Sequence, residues 1–261
     1  MLARERQNII LEMLEKNNGT IKMTEITAAF NVSNETARRD LETLQDKNLV
    51  KRIYGGAILV DRSISSFRGG HVQSDDQGHA EREAIGKAAA ALVQEGETVI
   101  LSSGTTVMQV AHALKQRLRN LTVLTNSLMT LNEVSDSSFD VYVLGGKLDL
   151  NERNICGDAA VQTVRSVFAD TLILGCGGVT VQYGVSDYSL NDQLLREEMV
   201  NHAARVILVA QSDKFGRNAF SLNIPLEKIH TVVTDTNLPV ESQNILQSMG
   251  IRLILADPAQ F

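Results

Sequence analysis

Five consecutive small residues, Ser102, Ser103, Gly104, Thr105 and Thr106, stand between an apolar segment and an amphipathic one. Small residues let a backbone approach a ligand closely, and the free amide groups at the start of a helix attract anions. The hydroxyl groups add further donors, so this stretch predicts a phosphate-binding loop. The same composition also suits an ordinary turn that caps the following helix, and one loop alone favours that simpler interpretation.

Four further polar loops follow other apolar segments. They contain Thr125, Asn126 and Ser127, then Gly145, Gly146 and Arg153, then Gly175, Cys176 and Gly177, and finally Lys214 and Arg217. If the apolar segments are parallel strands, all five loops lie at the carboxyl edge of one sheet, where ligands bind. The three cationic side chains could then bind a phosphate group. The sequence therefore predicts a crevice for a phosphorylated sugar or polyol.

Other side chains near these loops leave more than one interpretation open. Asp187 could accept a hydrogen bond from a sugar hydroxyl, although a solvated carboxylate or a helix cap explains it equally well. Cys176 could be a redox-sensitive thiol, but a small residue that lines a pocket is the simpler interpretation. The five histidines have no metal-ligand spacing, so we expect no metal and no cofactor.

A second group of charged side chains belongs to a predicted helix near the amino terminus. Ser33 is a favourable N-cap for this helix. Apolar residues recur at helical spacing, namely Ala37, Leu41 and Leu44. Arg38 and Arg39 lie off that stripe, so the helix has a buried back and an arginine-bearing front.

The neighbouring segments complete a winged helix-turn-helix pattern, in which the last helix enters the DNA major groove. Residues 9–14 and 24–30 predict two helices, residues 31–33 a tight turn, and residues 49–59 a β-hairpin that turns at two glycines. The candidate DNA-binding residues are Ser33, Asn34, Thr36, Arg38, Arg39, Lys51, Arg52, Tyr54 and Gly55. The alternative is an ordinary three-helix subdomain with a solvated charged face.

The distribution of apolar residues divides the chain into two domains. We predict a winged helix-turn-helix domain over residues 1–60, a linker over 61–79 and an α/β domain over 80–261. In the last domain seven short apolar strands alternate with helices, which favours a largely parallel sheet. The strands are residues 98–101, 121–125, 141–144, 171–174, 206–210, 231–234 and 253–256.

Charge is distributed unequally between these domains. The 261 residues carry a net charge of −6, yet residues 1–60 hold nine basic and eight acidic side chains. The local electrostatic field near Arg38 and Arg39, more than the net charge of the whole chain, determines how the protein interacts with DNA. The net negative charge therefore does not argue against DNA binding. No stretch approaches the ~18 apolar residues of a membrane span. The composition therefore predicts a cytoplasmic protein with no membrane partner.

Both domains resemble the DeoR family of transcriptional regulators. In the first, the resemblance rests on Val32-Ser33, Thr36, the run Arg38-Arg39-Asp40-Leu41 and the segment Tyr54-Gly55-Gly56-Ala57. In the second, it rests on the polar loops described above. Two departures are Tyr54, where the family more often has histidine, and Ser102, where many members have aspartate.

This resemblance implies an effector domain with the phosphopentose isomerase fold, whose loops surround a phosphosugar. It also implies a repressor of a carbohydrate-utilisation operon that binds double-stranded operator DNA as a homodimer or homotetramer. A sugar-phosphate isomerase-like enzyme with an appended nucleic-acid-binding domain is the alternative. Such an isomerase needs a positioned base, and the isomerases that the domain resembles carry it in the loop at residues 175–178. No carboxylate stands there in this chain, so we expect a sensor with no catalytic residues.

Overall fold

The computed structural model describes residues 3–16, 20–30, 32–46, 49–53, 56–59, 78–150 and 152–260. The chain divides into two compact units, Met1–Gly70 and His71–Phe261. Most of the linker predicted at residues 61–79 lies outside the described residues, so its extent stays a prediction. Its last residue, His79, is helical in the structure.

The amino-terminal unit contains three helices and a three-stranded antiparallel sheet. Its elements are α1 (Ala3–Lys16), β1 (Thr20–Lys22), α2 (Met23–Phe30), α3 (Asn34–Asp46), β2 (Val50–Ile53) and β3 (Gly56–Leu59). The strand order is β1-β3-β2. The core between helices and sheet includes Ile10, Leu14 and Ile26, which are fully buried.

Helix α3 forms as the sequence predicts. The Ser33 hydroxyl accepts a hydrogen bond from the Thr36 amide at 3.2 Å, which is the geometry of an N-cap. The apolar stripe faces the core, since Ala37, Leu41 and Leu44 are at most 1% exposed. An additional contact was not predicted: buried Asp40 accepts a hydrogen bond from the Arg6 side chain of α1 at 2.5 Å.

The predicted hairpin is present as the antiparallel strands β2 and β3. Gly56 belongs to β3, which pairs with both β2 and β1. A Cβ atom at Gly56 would lie 2.0 Å from the Ile21 carbonyl oxygen, so only glycine fits there. Strand β1 was not predicted, because three residues are too few for a periodic signal. Tyr54 and Gly55 lie outside the described residues.

The carboxyl-terminal unit alternates strands and helices. Its first half contains α4 (His79–Ala90), β4 (Thr98–Leu101), α5 (Thr105–Arg117), β5 (Thr122–Thr125), α6 (Leu128–Val134), β6 (Asp140–Val143), β7 (Lys147–Asp149), β8 (Asn154–Cys156) and α7 (Asp158–Arg165). Its second half contains β9 (Ala169–Leu174), β10 (Gly178–Thr180), β11 (Gly184–Asp187), α8 (Gln193–Asn201), β12 (Ala203–Val209), β13 (Ser221–Ile224), β14 (Thr231–Asp235), α9 (Val240–Ser248) and β15 (Arg252–Ala256).

The seven predicted strands form one parallel sheet. The strand order is β15-β14-β12-β9-β4-β5-β6, and every neighbouring pair is parallel. Along the chain the sheet grows from β4 to one side, and then continues on the other side from β9. The topological switch point therefore lies between β4 and β9, which is where ligands bind in open α/β sheets.

Apolar side chains cover both faces of this sheet. Within β4, Val99 and Leu101 pack into one cluster with α4 and α5, whereas Ile100 packs into the other with α7 and α8. Successive residues of a strand point to opposite faces, so a sheet buried on both faces requires continuous apolar strands. That requirement explains why these strands were recognisable in the sequence.

Smaller elements were missed. The antiparallel pair β7–β8, the helix α7 and the separate sheet β10-β11-β13 were not predicted. Helix α8 spans Gln193–Asn201. Its Leu195 and Met199 are buried, whereas Leu194 is 47% exposed.

Candidate functional site

The loops after β4 and β9 meet at the switch point of the sheet. The Ser102 amide donates to the Ile173 carbonyl at 3.1 Å. The Gly175 amide donates to the Ser102 hydroxyl oxygen at 3.0 Å, and Ser102 is only 1% exposed. Ser102, one of the departures from the DeoR pattern, thus joins the two loops. Its hydroxyl oxygen accepts a hydrogen bond, as an aspartate oxygen would at this position.

The start of α5 has the features of an anion site. Gly104 precedes the helix with a φ of 132°, which side-chain-bearing residues rarely adopt. Because glycine has no side chain to cap the helix, Gly104 leaves the first-turn amides to other acceptors. Ser103, Thr105 and Thr106 are partly exposed around these amides. A phosphate group could therefore accept hydrogen bonds at this helix start.

Arg196 of α8 joins the switch-point loops to β11, and sequence reasoning did not identify it. Its side chain is 2% exposed, and its Nη1 atom lies 2.8 Å from Asp187 Oδ2. Its Nη2 atom donates to the Gly175 carbonyl. The burial of Arg196 could not be predicted, because an arginine within an amphipathic helix has the sequence pattern of a surface residue. Asp187, the candidate hydroxyl acceptor, is thus held by a buried arginine.

Cationic residues surround Cys176 in the loop after β9. Burial and the Asp187 carboxylate raise the pKa of the Cys176 thiol to about 12, while nearby Arg196, Lys214 and Arg217 act in the opposite direction. Burial lowers the pKa of Lys214. Lys214 ends a short 3-10 turn, Ser212–Lys214. These electrostatic effects indicate that the predicted residues Cys176, Asp187, Lys214 and Arg217 lie near one another. The raised pKa places the thiol outside the reactive thiolate range.

The strand end after β5 is organised mainly by its own hydrogen bonds. The Thr125 hydroxyl accepts from the Ser127 amide at 3.1 Å, and the Ser127 hydroxyl caps α6 by accepting from the Thr130 amide at 3.2 Å. The Asn126 side-chain amide donates to the Ile155 carbonyl at 3.1 Å, which ties this loop to β8. The hydroxyl groups of Thr125 and Ser127 are therefore occupied in positioning the loop.

Gly145 and Gly146 immediately precede β7, and Arg153 lies between β7 and β8, beside several residues that were not predicted. Gly145, Gly146 and Arg153 are exposed, and Arg153 has a φ of 49°. Next to Arg153, the Glu152 amide donates to Asp149 Oδ1 at 3.3 Å. The side chain of Asn154 is buried and donates to Asp192. Acidic residues flank Arg153 in the sequence, but Arg153 was the only charged side chain in this region that was predicted to contact a ligand.

Three of these carboxylates lie close enough to affect one another, and we call Asp149, Glu152 and Asp192 the acidic cluster. Burial, together with the carboxylates of Asp187, Asp149 and Asp192, raises the pKa of Glu152 to about 7. Burial likewise raises the pKa of Asp192 to about 6, against the effect of Arg196. The hairpin side of the candidate site is therefore anionic and partly desolvated.

The arginine-bearing face of α3 is open to solvent. Arg38 and Arg39 are 58% and 77% exposed in their side chains, and each pairs with a glutamate one turn away, Glu42 at 3.4 Å and Glu35 at 3.5 Å. Asn34 is exposed, and Thr36 is partly exposed beside the Ser33 cap. The side chains of Lys51 and Arg52 fall outside what the structure describes, as do Tyr54 and Gly55.

Neither a metal site nor a membrane span is found in the described ranges. No group of three or more His, Cys, Asp or Glu side chains in these ranges is placed to hold a metal ion. None of the helices in them is both long and apolar enough to cross a bilayer.

Comparison with known families matches both units. The DeoR-like helix-turn-helix domain matches residues 6–63, and the DeoR C terminal sensor domain matches residues 77–236. The chain belongs to the DeoR family. This membership, the parallel sheet and the capped α3 confirm the predicted fold class of a DNA-binding domain followed by an α/β sensor domain.

Relatives within the DeoR family align over nearly the whole chain. The HTH-type transcriptional repressor GlcR of Bacillus subtilis is 31% identical over 98% of this chain and 98% of its own length. The glycerol-3-phosphate regulon repressor of Escherichia coli K12 is 30% identical over 98% of this chain and 100% of its own length. The putative aga operon transcriptional repressor of Escherichia coli O157:H7 is 28% identical over 96% and 93%.

Solved structures show only distant similarity. Ribose 5-phosphate isomerase A from Methanocaldococcus jannaschii aligns at 12% identity with a TM-score of 0.41, over 53% of this chain and 55% of that one. The translation initiation factor eIF-2B from Pyrococcus horikoshii aligns at 15% identity with a TM-score of 0.45, over 89% and 82%.

Proposed function

We propose that this protein is a transcriptional repressor of a carbohydrate-utilisation operon, and that a phosphorylated sugar or polyol controls its affinity for operator DNA. Membership of the DeoR family and the repressor names of full-length relatives support the regulatory part. The observation that carries the effector part is the meeting of a glycine-capped helix start with Arg196, Lys214 and Cys176 at the switch point of the sheet.

The DNA-binding part rests on α3. Its apolar back is buried and its front presents Arg38 and Arg39 to solvent. A recognition helix needs this division, because the core fixes its orientation while the front reads base edges and phosphates. We assign Arg38 and Arg39 to base-edge and phosphate contacts, with Asn34, Thr36 and Lys51 assisting. The remaining proposed contacts are Ser33, Arg52, Tyr54 and Gly55.

The effector part of the proposal assigns protein residues to the phosphate end of the ligand. The phosphate group binds at the start of α5, where amides of Thr105 and Thr106 and the hydroxyl of Ser103 are donors. Lys214 and Arg217 balance its charge. The sugar then extends toward Asn126, Gly145, Gly146, Arg153, Gly177 and Asp187. A ligand bound in this way changes operator affinity only if it binds better to one arrangement of the protein than to another.

We propose that the protein acts as a symmetric oligomer. Two copies of α3 can contact the two half-sites of an inverted repeat only if the subunits are related by a two-fold axis. We therefore propose a homodimer or homotetramer that acts in the cytoplasm, where the DNA of a bacterium lies.

We also propose that the sensor domain performs no catalysis. The loop at residues 175–178 carries no carboxylate. Asp187, the carboxylate beside it, is bound by Arg196 and accepts a hydrogen bond from the Tyr188 amide. A base held by both oxygens is poorly placed to abstract a proton from a sugar. Turnover of pentose or hexose phosphates by the purified protein would reverse this conclusion in favour of an isomerase.

The test couples binding to regulation. Purified protein is first screened by thermal shift against phosphorylated sugars and polyols, with the free sugars as controls. A ligand at ~100 times its dissociation constant stabilises its domain by about 2.7 kcal/mol. A compound that shifts the melt only when phosphorylated is then added to protein bound to the DNA upstream of its own gene. Release of the DNA supports the proposal, whereas a bound ligand that leaves DNA affinity unchanged contradicts it.

A further inference from the structure

The acidic cluster is accompanied by buried oxygen atoms that accept no hydrogen bond. Within the described part of the chain, Asn126 Oδ1, Asn154 Oδ1 and Asp192 Oδ1 have no partner. Their residues are 2%, 1% and 4% exposed. Buried polar atoms are nearly always paired in folded proteins, and an unpaired one is costly. Two unpaired asparagine oxygens, together with an unpaired carboxylate oxygen of the acidic cluster, therefore indicate a ligand group that supplies donors.

The orientation of the two asparagine side chains follows from their neighbours. Asn126 donates its side-chain amide to the Ile155 carbonyl, which can only accept. Asn154 donates its side-chain amide to the Asp192 carboxylate. In both residues the amide nitrogen is fixed by an acceptor, so the free atom is the oxygen. The two residues are also linked through the bridge between Ser127 and Asn154.

Charge is separated across the candidate site. The groups that act on the Cys176 thiol include three cations, Arg196, Lys214 and Arg217. The groups that act on the Cys156 thiol, at the end of β8, are Asp192, Asp149 and Lys147. The side of Cys176 is therefore mainly cationic and the side of the acidic cluster mainly anionic. A ligand with one negative and one positive end would match this separation.

We propose that the effector carries a primary ammonium group as well as its phosphate, as phosphorylated amino sugars and amino polyols do. This inference rests on the proposed function and assigns the second end of the same ligand. An ammonium group has three donors and no acceptor, whereas a hydroxyl group has one donor. It therefore matches the three unpaired oxygens, and its charge is balanced by the acidic cluster. A metal ion is a poorer match, since no His, Cys, Asp and Glu cluster in the described ranges can hold one.

The experiment compares matched ligands on the full-length protein. The pairs are glucosamine 6-phosphate with glucose 6-phosphate, galactosamine 6-phosphate with galactose 6-phosphate, and 2-aminoethyl phosphate with 2-hydroxyethyl phosphate. Dissociation constants are measured by isothermal titration calorimetry at pH 7.5 or above, where Glu152 is mainly ionised. We expect the amine to bind at least tenfold more tightly in one or more pairs, as one added charge-assisted hydrogen bond provides.

A variant locates the amine on the protein. Glu152→Gln removes one negative charge from the acidic cluster and keeps the side-chain shape. We expect it to weaken binding of the amine severalfold, leaving the matched hydroxyl compound unchanged. Glu241→Gln, at the exposed start of α9, is the control and should change neither constant.

The outcomes separate the two proposals. If hydroxyl compounds bind as tightly as their amines, or if Glu152→Gln leaves the ratio unchanged, the ammonium inference is wrong and the phosphosugar sensor stands. If no phosphorylated compound of either kind binds, the sensor proposal is itself overturned, and the inference with it.

Discussion

Two arginine-bearing helices of this protein use their guanidinium groups in opposite ways. On α3, Arg38 and Arg39 are more than half exposed and pair with glutamates of the same helix at 3.4–3.5 Å. On α8, Arg196 is 2% exposed and joins Asp187 to the Gly175 carbonyl. Exposed pairs of the first kind contribute little to stability, so those arginines can turn toward DNA. Arg196, in contrast, cannot move away from Asp187 without leaving a buried charge unpaired.

The difference shows how to separate residues that contact a ligand from residues that organise a site. Sequence reasoning found the exposed pair, because two adjacent arginines opposite an apolar stripe form a visible pattern. It did not find the buried arginine, although that arginine joins the loop after β9 to β11.

Replacement of Arg196 by methionine should destabilise the sensor domain strongly. Asp187 and the Gly175 carbonyl would lose their partner inside the protein, at a cost of about 3 kcal/mol. Urea denaturation measures this loss. Arg39→Met is the matched control, because Arg39 is 77% exposed and pairs with Glu35, which is 68% exposed. Equal losses for both variants would remove the distinction between the two kinds of arginine.

Replacement of Arg38 or Arg39 by alanine should weaken operator binding and leave stability nearly unchanged. Each contact to a base or phosphate contributes about 1–3 kcal/mol, so affinity should fall roughly 5- to 150-fold. Stability should change by no more than about 0.5 kcal/mol. Fluorescence anisotropy over a series of salt concentrations measures affinity, with Arg165→Ala as control. Unchanged affinity for both variants would show that α3 does not face the DNA.

Replacement of Gly104 by alanine should impair effector binding through the backbone alone. The φ of 132° is unfavourable for alanine by about 1–3 kcal/mol, although a Cβ atom there would meet only Val107, at 4.0 Å. A backbone that relaxes would move the first-turn amides of α5. Gly96→Ala is the control, since Gly96 also has a positive φ of 85° and open space around it. Both variants should lose stability, but only Gly104→Ala should lose affinity for a phosphorylated ligand.

The stability of the ligand-free protein should depend on Glu152 between pH 5 and pH 8. The folded state raises the pKa of Glu152 from 4.5 to about 7, so it binds this proton more tightly than the unfolded chain does. Stability should therefore fall as pH rises through this window and level off above it. Because the residue is partly exposed, we expect an effect of about 1 kcal/mol.

The matching variant is Glu152→Gln, which resembles the protonated side chain. At pH 8 it should be more stable than the natural protein, and by pH 5 the difference should shrink. Glu241→Gln on the surface should follow the natural protein at every pH. A pH profile of Glu152→Gln that coincides with that of the natural protein would mean that this carboxylate is not held in the acidic cluster.

The sequence allowed the large elements to be predicted because their signals are local. Continuous apolar strands such as Val99–Leu101 indicate burial on both faces, and Ser33 with the stripe beginning at Ala37 defines α3. The strand ends therefore located the predicted phosphate-binding loop and the residues around Cys176. Their roles in binding stay predictions.

The remaining parts depend on contacts between distant residues. Arg6 and Asp40 are 34 positions apart, and Asn154 and Asp192 are 38 positions apart. Nothing near either residue indicates its partner. Strands β7 and β8 have three residues each, too few for a periodic pattern. The acidic residues near Arg153 form a cluster only because the fold places Asp192, at the start of α8, near Asp149 and Glu152. Short strands and long-range polar contacts thus define the part of the site that could not be predicted.

The β7–β8 hairpin has a consequence for how such regulators diversify. It forms a two-stranded sheet of its own, apart from the seven-stranded sheet that precedes the proposed phosphate loop. Asp149, Glu152 and Arg153, which are not buried, can therefore change without disturbing the buried strands. After a gene duplication, a few substitutions in this hairpin could retune one copy to a new metabolite while both copies keep the same phosphate site. New regulatory circuits could then arise from an old one within a handful of mutations.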